Sequence, residues 1–102
     1  MGSFLTLLEN IRNRPEMYLG DKCLLSALRA FYNGYDTARM ELGIEKTIDD
    51  QKLEQFQDWV KKKYGNENTT AGLFLTILEN SENEQDGFYK FFYLLDEFNR
   101  SV

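Results

Sequence analysis

The chain has no histidine, one cysteine, one proline and no long apolar run, and each scarcity excludes something. Without histidine it lacks the commonest general acid–base group and the commonest transition-metal ligand. A single Cys23 can form no internal disulfide and build no zinc site, and no base lies near it in sequence to activate it. It reads as a small, half-buried hydrophobe in a reducing cytosol. Glycines occur singly, so no loop is built to cradle phosphate. No apolar stretch approaches the roughly 20 residues that cross a bilayer. The N-terminal apolar run lacks a preceding basic region and is interrupted by Glu9, so no secretory signal is expected. These absences predict no catalytic residue, no cofactor, no metal, no membrane contact and a cytoplasmic location.

What is present is a helical pattern. With 102 residues, 42% hydrophobic and 15% aromatic, residues 1–102 are expected to form a single all-helical domain of about five helices. Ser3 can cap a first helix in which Phe4, Leu7, Leu8 and Ile11 recur at helical spacing. Asp21 can cap the next, whose stripe is Leu24, Leu28, Phe31, Tyr35, Ala38 and Leu42, closed by Gly43. Gly34 lies inside it and is expected to admit a close neighbour. Asp49 or Asp50 caps a third helix with Leu53, Phe56, Val60 and Tyr64 inward, Trp59 flanking and Gly65 at its end. Thr70 can cap the apolar run Ala71–Asn80. Periodicity leaves helix or strand open there, and helix is favoured because a lone strand has nothing to pair with. Ser81 and Glu84 have the spacing of a capping box ahead of Phe88, Phe91, Phe92, Leu95 and Phe98.

Charge is unevenly placed. Residues 1–63 hold ten basic and ten acidic groups, whereas residues 64–102 hold seven acids against Lys90 and Arg100, so the net −5 lies in the last third. Lys61, Lys62 and Lys63 suit the negative end of a helix dipole, and the acidic total argues against nucleic acid as a partner. On the last helix, Tyr89, Tyr93, Asp86, Asp96, Glu97 and Arg100 fall opposite the phenylalanines. Tyrosine beside acid is a composition suited to a protein-binding surface. With Glu82 and Glu84, residues Asp86, Tyr89, Tyr93, Asp96 and Glu97 are the expected partner-binding set.

The remaining motif is Arg14-Pro15-Glu16-Met17-Tyr18-Leu19-Gly20. Proline stops the first helix, Gly20 permits a bend, and the apolar Met17, Tyr18 and Leu19 are expected to plug the gap between two helices. A similar run occurs in the ATPase domain of type II topoisomerases, but the nucleotide loops of that much longer domain do not follow it here. The order Ile11–Gly20, Phe31-Tyr32-Asn33-Gly34-Tyr35, Phe56-Gln57-Asp58-Trp59-Val60, Lys63-Tyr64 and Phe91–Phe98 resembles small bacterial immunity proteins encoded beside polymorphic toxins, including those of contact-dependent growth inhibition systems. Glu16 departs from the glycine usual at that position. The resemblance implies a protein that binds and neutralises a cognate toxin domain in the cytosol and performs no chemistry itself. A basic nuclease would suit the acidic surface. The competing expectation is a helical adaptor or regulatory subunit unrelated to toxins. Oligomeric state is not encoded in any feature of the sequence.

Overall fold

A computed structural model describes residues 4–20, 23–66 and 72–101. The expected caps Ser3, Asp21 and Thr70, and Ala71, lie outside the described residues. Within them the chain is all-helical: α1 (Phe4–Asn13), α2 (Pro15–Leu19), α3 (Leu25–Glu41), α4 (Ile48–Lys63), α5 (Leu73–Glu79) and α6 (Glu84–Ser101). The apolar run before Asn80 is helix, and the sixth element is the short α2 inside the proline motif.

The phenylalanine stripe of α6 forms the centre. Phe88, Phe91, Phe92, Leu94, Leu95 and Phe98 are all buried, and the inward faces of α1, α3, α4 and α5 close over them. Phe56 of α4 meets Phe91 edge-on at 5.6 Å and Phe98 at 5.5 Å, while Phe74 of α5 stacks on Phe91 at 5.6 Å. These are the offset and T-shaped geometries that ring quadrupoles favour. The approach of α6 to α3 depends on Gly87, where a Cβ would stand 2.9 Å from Leu25 Cδ2 in a side chain already buried. Gly34 serves no such purpose: nothing lies within 4 Å of where its Cβ would be, so the expected close neighbour is absent.

Pro15 occupies the first turn of α2, where its missing N–H costs nothing. Because α2 is a helix and not an extended plug, Pro15, Tyr18 and Leu19 share one inward face and Met17 is turned out, 68% exposed. Tyr18 packs edge-on to Phe31 at 6.1 Å. Half of the plug expectation is therefore corrected. The capping box expected at Ser81 and Glu84 also fails to form. Ser81 instead donates to the Ile77 carbonyl at 2.6 Å, while Asn83 Oδ1 accepts from the Asp86 N–H at 2.8 Å and Asp86 Oδ2 from the Glu82 N–H at 2.9 Å.

α3 runs past the core, so Ala38 and Leu42 at the end of its predicted stripe are exposed. Gly43, at φ +66°, closes it as a Schellman turn with Gly43 N–H donating to Met40 O and Ile44 N–H to Arg39 O. The cap of α4 is Thr47, two residues before the nearer expected aspartate. Thr47 and Asp50 form a reciprocal capping box, and Asp50 also receives both nitrogens of Arg39, at 2.5 and 2.7 Å. Arg39 donates further to the Glu45 carbonyl at 3.1 Å, binding helix, turn and cap into one unit.

Replacing Gly34 by alanine should stabilise the fold by about 1 kcal/mol through helix propensity alone. Gly87→Ala should destabilise it, since overpacking costs about 1–3 kcal/mol and exceeds that gain. Met17→Ala should stay within about 0.5 kcal/mol of wild type. Urea titration distinguishes the three. Arg39, then the Thr47 cap, holds the Asp50 carboxyl at about 2 against an ordinary 3.8. A depressed folded value means stability that is present above pH 3.8 and lost as pH falls towards 2. Melting curves of wild type and Asp50→Asn should therefore differ at neutral pH and converge near pH 2.

Candidate protein-binding face on the last helix

The outer side of α6 carries Asp86, Tyr89, Tyr93, Asp96 and Glu97 of the expected set, whereas Glu82 precedes the helix and Glu84 is turned toward α3. Tyr89 and Tyr93 stand one turn apart and are 57% and 63% exposed. They are held on a helix whose other side is locked in the core, so their backbone is fixed and only their side-chain rotamers remain to be ordered on contact. Tyr89 lies beside Cys23, whose sulfur raises the phenol above its ordinary value. Cys23 itself is half-buried against the core, as expected.

The acids behave differently from the tyrosines. Asp96 is held by Arg12 of α1 through two parallel bonds of 2.8 and 2.5 Å, and the same guanidinium lies 5.5 Å over the Phe92 ring. The Arg12 pairing lowers the Asp96 carboxyl below its ordinary value and raises Arg12. Glu97 accepts from Lys63 at 3.0 Å, with Lys63 also 5.4 Å over the Trp59 ring. Asp86 accepts the Glu82 N–H just ahead of its own helix and lies 3.7 Å from Lys90, which in turn donates to the Asn80 carbonyl. Glu84 accepts the Ser26 N–H at 3.2 Å, supplying the cap that Leu24 cannot give α3. Among the described residues, Glu82 alone of the five expected acids makes no side-chain bond to another element and no ion pair.

The face therefore consists of two tyrosines set among internally neutralised pairs, and it projects less negative field than composition suggests. Arg12 and Lys63 belong to it and sequence reasoning did not find them. Arg12 and Asp96 are 84 residues apart and Lys63 and Glu97 are 34 apart, so no local pattern could register either pair.

Between α3, α4 and α5 lies a cleft of about 570 Å³. Leu53, Phe74 and Phe91 line its apolar part, with Arg29, Gln57 and Glu79 among its exposed residues. Burial and then the neighbouring Asp36 and Asp50 raise the Tyr32 phenol there, keeping it a neutral hydrogen-bonding group. Among the described residues no three of histidine, cysteine, aspartate and glutamate gather as a metal site. No described helix is long and apolar enough to cross a membrane.

No protein-family model, curated protein or solved structure matches the chain.

Because Asp96 is a structural partner of Arg12, Asp96→Lys should lower the melting temperature, on the order of 4–8 °C for a domain of this size. Glu82→Lys should leave it unchanged within about 1–2 °C. Differential scanning calorimetry at low and high salt checks both, and salt should narrow the first difference.

Proposed function

We propose that this protein is a binding module that neutralises a cognate bacterial toxin domain, in the manner of the immunity proteins its sequence resembles, and that the outer face of α6 is where it docks. The observation that carries the reading is the pair Tyr89 and Tyr93. Tyrosine is enriched at binding hot spots because it offers a large amphipathic surface with few rotatable bonds. Two such rings one turn apart on a rigid helix form a small anchor, and the flanking Arg12–Asp96 and Lys63–Glu97 pairs form a polar rim around it. Ion pairs already satisfied within the protein need no reorganisation when a partner excludes water from the centre of such a face.

The reading also changes what the acids are expected to do. With Asp96, Glu97, Glu84 and Asp86 engaged at home, affinity rests on the aromatic anchors and charge contributes mainly through Glu82. A nuclease, which must hold phosphate with cationic groups, remains the toxin class best matched to a net charge of −5.

The test is co-expression with the toxin domain that this reading requires beside the gene, followed by surface plasmon resonance on the purified pair. Wild type should restore growth and bind. Tyr89→Ala and Tyr93→Ala should each speed dissociation about thirtyfold, the equivalent of roughly 2 kcal/mol for a true anchor. Glu82→Lys should chiefly slow association. Failure to restore growth and to bind would overturn the toxin reading, and wild-type dissociation in both tyrosine variants would overturn the face.

A further inference from the structure

The elbow between α3 and α4 combines two features that rarely occur together, exposed bulk and a rigid frame. Met40, Leu42, Ile44 and Ile48 are between 51% and 81% exposed, all within residues 40–48. Turns are ordinarily filled with glycine, asparagine, aspartate and serine, and scattered apolar residues on a surface need no explanation. Four within nine positions concentrate exposed apolar surface at one turn. Nor is it loose. Arg39 grips Asp50 with both nitrogens and the Glu45 carbonyl with one, and lies 5.5 Å over the Tyr35 ring. The Schellman turn at Gly43 and the Thr47 capping box fix the chain on both sides of the patch.

The charges left unpaired around it are mostly negative. Arg39 is consumed by Asp50, and Lys46 by Glu54 at 2.5 Å. Asp36, Glu41 and Glu45 are exposed and make no ion pair among the described residues, and Asp49 Oδ2 is covered without a hydrogen-bond partner. Lys52, one turn beyond Ile48, is the opposing cation on this stretch. An apolar patch ringed by free carboxylates repels an anionic membrane surface and a second copy of itself, while it attracts a partner whose apolar groups are framed by lysine and arginine.

We propose that the α3–α4 elbow is a second docking surface, for a protein segment that presents apolar side chains flanked by basic ones. It stands on residues separate from Tyr89 and Tyr93. Tyr89 sits beside Cys23 at the start of α3 and the elbow is at its end, about 25 Å along a 17-residue helix. The surface holds whether or not the partner at α6 is a toxin.

The test uses the whole chain and two synthetic amphipathic helical peptides that share a leucine face, one carrying lysine and the other glutamate on its polar side. The lysine peptide should shift the backbone amide resonances of residues 40–48 and bind at least about tenfold more tightly than the glutamate peptide. The double variant Leu42→Ser/Ile48→Ser, which removes only exposed side chains and should melt like wild type, should lose about tenfold or more in affinity for the lysine peptide. Equal binding of the two peptides, wild-type affinity in the double variant, or no binding would each overturn the proposal. So would shifts centred on Tyr89 and Tyr93. Sedimentation showing concentration-dependent dimers of wild type that vanish in the double variant would assign the patch to a second copy instead.

Discussion

Burying the phenylalanine side of α6 is the constraint on which the rest of the molecule depends. An 18-residue helix that turns six phenylalanine and leucine positions inward, and buries seven residues in all, cannot hide them against one neighbour. It therefore lies at the centre, with α3, α4 and α5 packed along it and α1 fastened by Arg12. The ring contacts of Phe56 and Phe74 with Phe91 set the spacing of α4 and α5. Gly87 then decides how near α3 can come, because any larger residue there would displace Leu25. Helix propensity alone would not select glycine at that position.

Much of this frame was legible in the chain because it is written in local periodicity. The inward residues of α1, α4 and α6 follow from helical spacing, and Gly43 and Gly65 do end their helices, each with a positive φ. What was not legible falls into two physical kinds. Some errors concern which way a short segment winds: a single proline can end one helix and begin another, and that choice turned Met17 outward. Others concern long-range pairing. Glu84 looked like half of a local capping box yet bonds the Ser26 N–H of another helix, and Asp96 looked like a free surface charge yet is bound to Arg12.

The candidate surface illustrates the same division. The exposure of Tyr89 and Tyr93 could be read from the wheel of α6, since it needs only the phase of one helix. The electrical character of that face could not, because it depends on cations delivered by α1 and α4. Composition placed the negative charge in the last third of the chain. In three dimensions the carboxylates left without partners include those at the α3–α4 elbow, which lies within the first 63 residues, where ten acids and ten bases cancel in number. Bulk charge therefore gives the sign of a partner but not the site at which the partner arrives.

The bond between Arg12 and Asp96 has a consequence for how the protein is made. α1 is synthesised before α6, and its principal polar partner follows 84 residues later. At typical elongation rates of about 5–20 residues per second, that delay is roughly 4–17 s. Throughout it Phe4, Leu8 and Ile11 lack the phenylalanines with which they share one core in the finished fold. Completion of the core is thereby tied to α6 leaving the ribosome, and a nascent chain halted before Phe91 would present its apolar stripes to whatever chaperone is nearest.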